Sequence, residues 1–171
     1  MKKILQLSLL TVASLSAIAL GFKPNIIQAE TTTDVSSEAI RKAITVYPDL
    51  GQVSLYDASG NKISGVELAP NSNLSTSGIT TINGEKYYQV ATDRFVKTSA
   101  VYTYKFTLVR IKVTAKPLAT IRNVHGQEIS NRAIANGTVW SVDKVIKVNG
   151  QNYYRISSNE FVSSDDVEII K

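Results

Sequence analysis

The chain has 171 residues and a formal net charge of +5, from 19 lysines and arginines against 14 acids, with a single histidine and no cysteine. The missing cysteines exclude disulfide frameworks, thiolate metal sites and cysteine nucleophiles. Small exported domains often rely on disulfides, so the stability of this chain must come from packed cores.

The first residues set the expected compartment. Lys2 and Lys3 precede an apolar run from Ile4 to Leu20, Gly21 and Pro24 break any helix, and Ile27-Gln28-Ala29 ends on a small residue. A basic start, an apolar centre and a small-residue exit read as a secretory signal, residues 1–29, cleaved after Ala29. The alternative is an uncleaved anchor, but the run is near the lower limit of roughly 17–25 residues for spanning a bilayer. Cleavage removes Lys2, Lys3 and Lys23, so 16 bases then face 14 acids, a net of +2. The high whole-chain pI therefore reflects the signal in part and does not argue for nucleic acid. Residues 30–43, rich in Thr, Ser and charge, read as a flexible leader with room for a short helix over 36–42.

From residue 53 onward the chain repeats itself at a constant offset of 66. Residues 53–101 align with 119–167 without a gap, and twelve of the 49 positions are identical. Gly60 falls on Gly126, Asn83-Gly84 on Asn149-Gly150, Tyr87-Tyr88 on Tyr153-Tyr154, and Phe95-Val96 on Phe161-Val162. A gapless match of this kind reads as an internal duplication, and two copies are too few for a solenoid. The expected division is one copy over 44–103 and a second over 104–171.

Each copy reads as short strands joined by turns. Val53 to Tyr56 alternates in polarity, and a Gly-containing turn follows it. Asn-Gly then marks a hairpin, because both residues tolerate the positive φ of a type I′ turn. Lys86 to Ala91 and Phe95-Val96 supply further strands, and neither copy shows helical periodicity. The expected fold class is all-β: two tandem, small, closed SH3-like barrels. Residues 104–116 form the join and read as strand throughout. Tyr104, Phe106 and Leu108 share one face and Val109, Ile111 and Val113 the other, a pattern that suits a stiff strand serving two cores.

In each copy a Gly-containing turn is followed by Asn-Gly-x-x-Tyr-Tyr-x-Val/Ile, Phe-Val and a Ser/Asp-x-Val close, at Asn83 to Val101 and Asn149 to Val167. This pattern resembles the surface-layer-protein (SLAP) domain of lactic-acid bacteria, over roughly residues 44–171. The resemblance implies non-covalent anchoring to the bacterial cell wall, with teichoic or lipoteichoic acid or wall polysaccharide as ligand and surface-layer proteins as further partners. No lattice-building domain accompanies the pair, so the expectation is an anchoring pair that stands alone, secreted and wall-associated. The competing reading is an SH3-like module for peptidoglycan peptide or a protein partner.

Catalysis is poorly supported. His125 lies in a turn where the first copy has Ser59, and reads as a solvated turn residue rather than a general base. Asp165-Asp166 are neighbours on an extended segment, where side chains point apart, and read as a turn or cap. No Gly-rich phosphate loop or metal-ligand spacing appears, so no cofactor, metal, nucleic acid or, after cleavage, membrane is expected. Trp140 aligns with Leu74 and reads as core.

Candidate binding residues come from two places. Lys105, Arg110, Lys112 and Lys116 lie in a stretch without acids from 104 to 127, which carries the positive excess of the mature chain. Arg110 and Lys112 share a strand face and sit about 6–7 Å apart, within reach of successive phosphates. The alternative for these bases is an edge strand blunted against aggregation. Alternation places Tyr88 with Val90 and Tyr154 with Ile156 inward. Tyr87 and Tyr153, the latter beside Arg155, then point outward, either to stack on a sugar or to cover the barrel.

Overall fold

A computed structural model describes residues 42–170. The expected signal and most of the expected leader lie outside the described residues. In chain order the strands are β1 (Lys42–Val46), β2 (Val53–Tyr56), β3 (Lys62–Leu68), β4 (Asn73–Thr76), β5 (Gly78–Ile82), β6 (Glu85–Ala91) and β7 (Arg94–Lys97). After a 3-10 turn come β8 (Val101–Val113), β9 (Leu118–Arg122), β10 (Glu128–Ala135), β11 (Val139–Val148), β12 (Gln151–Ser157) and β13 (Glu160–Ser163). A second 3-10 turn leads to β14 (Val167–Ile170). Lys42 and Ala43, read as the end of the leader and Lys42 as the end of its helix, are strand residues. Among the described residues no helix is long and apolar enough to cross a membrane.

The turns form where local chemistry demands them. Asn83 and Gly84 have φ of 51° and 81°, and Asn149 and Gly150 have 49° and 86°. Both pairs close two-residue hairpins, with Ile82 opposite Glu85 and Val148 opposite Gln151. The earlier turn is organised by a side-chain acceptor in each copy. Asp57 Oδ1 accepts from the amides of Ser59 and Asn61, each at 2.9 Å, and Asn123 Oδ1 accepts from those of His125 and Gln127, each at 3.0 Å. A further turn braces this one from 35 residues away: Ala58 donates to Asp93 Oδ1 and Val124 to Asn159 Oδ1, both at 2.9 Å.

Pairing registers recur at the same offset. Tyr88 lies opposite Ile79 and Val96, and Tyr154 opposite Val145 and Val162. The strands nevertheless gather into two sheets and do not close as two barrels. One sheet runs β10-β9-β13-β12-β11-β8-β1-β4, with β14 also on β8, and the other runs β3-β2-β7-β6-β5. Two local causes account for this. First, β8 is one strand of 13 residues that serves both halves: Val101 to Tyr104 pair with β1, Arg110 to Val113 with β14, and much of 105–112 with β11. Second, the strand that is continuous as β11 is broken in the first half at Ser77. There Thr76 Oγ1 donates to the Gly78 carbonyl at 2.8 Å and accepts from its amide at 3.1 Å, so β4 stays on β1 while β5 pairs with β6.

Two principal cores carry the fold. Ile44, Val46, Leu55, Tyr88, Val96 and Val101 form the first, and Ile111, Val113, Ala119, Ile121, Ile134, Val142 and Val162 the second. Trp140 packs partly buried on the second core, and its indole N–H donates to Thr138 Oγ1 at 3.0 Å. The join is a paired strand, but its expected face switch holds for one half only. Ile111 and Val113 are buried, whereas Phe106 is 62% and Leu108 77% exposed. Between Val142↔Val109 and Lys144↔Phe106 three steps of β8 oppose two of β11. Such a bulge resets which side chains share a face, so alternation read straight across it fails.

Candidate functional site

The four bases of the join are all exposed, but they do not form one surface. Arg110 and Lys112 sit two apart on β8, opposite Ile170 and Glu168 of β14. Lys112 lies 3.7 Å from Glu168, which offsets part of its charge. Lys116 lies in the turn before β9. Lys105 lies on the other side of the bulge, directly opposite Val145, which is in turn opposite Tyr154.

That row of three strands floors a cleft of about 470 Å³. Lys105 lines it together with Lys42 from β1 and Lys147 from β11, and Asn152, Tyr104 and Tyr154 add polar and aromatic wall. Among the described residues no carboxylate lines the cleft. Lys147 stands opposite Asn152, a register set by the Asn149-Gly150 hairpin. Three lysines with no acid among the described residues of one concave wall can attract an anion, and the tyrosine and asparagine side chains can hydrogen-bond hydroxyl groups. Of the seven residues singled out from the sequence, only Lys105 is in this cleft.

The tyrosine assignment is corrected. Tyr87 is 4% exposed and packs with Ile82, Phe95 and Tyr56 in a small core on the opposite side of the sheet from Tyr88. Its hydroxyl donates to Glu85 Oε2 at 3.1 Å, and Lys97 in turn pairs with Glu85. Burial, together with the Glu85 carboxylate, holds the Tyr87 phenol above its ordinary pKa. Tyr153 lies half-buried against Tyr102, Val124, Ile146 and Phe161. Arg155 is also committed: its guanidinium grips Asp143, with Nε 2.8 Å from Oδ1. The face that carries Tyr87 and Tyr153 is packed in both copies, so a reading that leaves that face wet misplaces these side chains.

The cluster around Tyr153 joins the two halves. Tyr47 and Tyr102 reach it from the first half, and Tyr47 stacks on the His125 ring at 4.7 Å. His125 Nε2 lies 3.0 Å from Asp49 Oδ2. His125 is thus exposed in its turn, as the sequence suggests, and it also holds the first half's β1–β2 loop. Lys144 is buried beside this cluster. Its Nζ donates to Thr45 Oγ1 at 2.8 Å and to Asn73 Oδ1, and lies 4.1 Å from the centre of the Tyr104 ring. Burial, with Arg155 nearby, lowers its pKa to about 8. Asp165 and Asp166 sit in a 3-10 turn where Ser163 Oγ accepts from the Asp165 amide at 3.2 Å, as a cap does.

Two segments, 54–99 and 110–164, match the family model described as the surface layer protein A domain, and together they span more than half of the chain. The chain belongs to this surface-layer family. Both matched segments contain the Asn-Gly-x-x-Tyr-Tyr and Phe-Val pattern, once each, as two tandem copies require. Among solved structures the chain is similar to a putative autolysin from Listeria monocytogenes, with 11% identity and a TM-score of 0.33, over 79% of this chain and 65% of that one. It is also similar to NlpC2 from Trichomonas vaginalis, with 14% identity and a TM-score of 0.30, over 76% of this chain and 48% of that one. The chain thus spans less than two thirds of either protein, and likenesses this distant carry no functional argument. None of the curated proteins compared with the chain matches it.

Proposed function

We propose that this surface-layer family member is a secreted, non-catalytic module that holds to the bacterial cell wall by binding an anionic wall polymer, teichoic or lipoteichoic acid, in the cleft between β1, β8, β11 and β12. In this reading it is a fused pair of SH3-like modules that has lost its separate barrels by sharing β8, and its signal is residues 1–29. The observation that carries the proposal is the meeting of Lys42, Lys105 and Lys147 in one cleft with no acid among the described residues of its wall. Family membership supports a place at the cell surface. Arg110 and Lys112, exposed farther along β8, form a separate basic spot that Glu168 partly offsets, and surface-layer proteins are the natural neighbours of the bound chain.

The test is wall binding by charge-reversal variants. Lys42→Glu, Lys105→Glu and Lys147→Glu combined should weaken binding to isolated walls by at least about tenfold, since removal of one charge-assisted contact costs roughly 1.5–3 kcal/mol. Arg110→Glu with Lys112→Glu should weaken it less. Binding should also fall as salt rises, by extension of the counterion-release rule from nucleic acids to another polyphosphate, and should be lost on walls stripped of teichoic acid. Equal binding by both variants, or binding indifferent to salt, assigns recognition to another surface and favours an uncharged wall ligand or a protein partner.

A further inference from the structure

We propose that Lys144 and Asn73 form an intramolecular amide bond that ties the second half of the molecule to the first. Lys144 projects from β11 at the bulge and is 2% exposed. Its counterpart in the first copy is Gly78, so the amine is a feature of the second copy alone. Its Nζ touches Thr45 Oγ1, the carboxamide oxygen of Asn73 and the Tyr104 ring, and among the described residues no carboxylate lies within ion-pair distance. The nearest acid in sequence, Asp143, is held by Arg155. A buried ammonium whose hydrogen-bond partners are neutral is disfavoured, and the nearby Asp143 offsets this only in part. With a pKa of about 8, roughly a tenth of Lys144 is the free amine at neutral pH, and the free amine is a nucleophile.

The electrophile is held against it. Thr45 and Asn73 are register partners on β1 and β4, and Thr45 Oγ1 donates to Asn73 Oδ1 at 2.8 Å. That hydrogen bond polarises the carbonyl and supports the charge that develops on its oxygen. Amine and carboxamide are fixed by strands of the two halves, so the encounter is intramolecular, and such placement raises effective concentration greatly.

The step balances without an oxidant or co-reactant. The Nζ lone pair attacks Asn73 Cγ and forms the new C–N bond. One Nζ proton passes to Thr45 Oγ1 as the Thr45 proton moves to Asn73 Oδ1; that proton then passes from Oδ1 to Nδ2 as the carbonyl re-forms, the Cγ–Nδ2 bond breaks, and ammonia leaves. Asn73 itself is exposed, so ammonia has a way out. The product is a secondary amide between residues 71 positions apart that keeps β4 and β11 together whether or not the surrounding strands are folded.

Intact mass measurement of the purified full chain decides the matter. The expected mass is that of its sequence less one ammonia, and proteolysis should release a branched peptide joining the segments that contain Asn73 and Lys144. Asn73→Ala and Lys144→Met should each restore the unmodified mass and abolish the branched peptide, and Thr45→Val should slow its appearance. A chain of full sequence mass overturns the proposal. So does a loss of ammonia confined to one asparagine as a cyclic imide, with no branched peptide.

Discussion

Tyr87 and Tyr153 occupy the same position in the two copies, and each is covered by different means. Around Tyr87 the cover is local: Tyr56, Phe95, Ile82 and the Glu85–Lys97 pair close over the ring. Around Tyr153 its own half supplies Val124, Ile146 and Phe161, and the other half adds Tyr47 and Tyr102. Removing the Tyr87 ring leaves a cavity, and loss of a buried aromatic side chain typically costs about 3–5 kcal/mol. Tyr87→Ala should therefore lower stability by that order in urea denaturation. Tyr87→Phe, which loses only the hydrogen bond to Glu85, should lose about 1 kcal/mol and bind walls as the wild type does. A Tyr87→Phe variant of normal stability that no longer binds walls would return this residue to the ligand site.

At the scale of the element, the turns were the most legible part of the chain, because their cause is local. Asn-Gly dictates positive φ at both positions of the hairpin, and both copies obey. Gly126 adds a requirement that local reading does not reach: its φ is 80°, and a Cβ there would sit 3.0 Å from Val148 Cγ1. Gly150 has a φ of 86° but open space around it. A left-handed alanine costs roughly 1–2 kcal/mol by itself. Gly150→Ala should cost about that, and Gly126→Ala more, since Val148 must also shift; chemical denaturation of the two variants compares them directly. The bulge in β8 was hidden for the opposite reason. It depends on the register of β11, a strand some 30 residues downstream, and so the outward turn of Phe106 and Leu108 was not readable from their own alternation.

For the whole molecule the consequential feature is that the halves share β8 and an aromatic cluster. Neither half can withdraw without exposing Tyr102, Val124, Ile146 and Phe161. Thermal unfolding should accordingly be a single transition in which calorimetric and van't Hoff enthalpies agree. Tyr102→Ala should lower its midpoint and broaden it, as the loss of a buried aromatic ring loosens the coupling. Two resolved transitions in the wild-type chain would sink the idea of one cooperative unit.

The sequence by itself determined the strand content, the duplication, the hairpins and the family, because each is written in residues close together or in a pattern repeated at a fixed offset. It also pointed to the join as a strand and singled out Lys105, which lines the cleft. Lys147 was within reach of the same reasoning, since counting back from Asn149-Gly150 places it opposite Asn152 beside the Val145–Tyr154 pair. Lys42 was not, for it lies outside the repeated segment and reaches the cleft only because β1 pairs with β8. Only the tertiary structure decided which faces are dry, that two sheets form in place of two barrels, and that Lys144 meets Asn73. These are long-range matters: a side chain's exposure is set by what packs on its strand from elsewhere, and no local pattern records the partner.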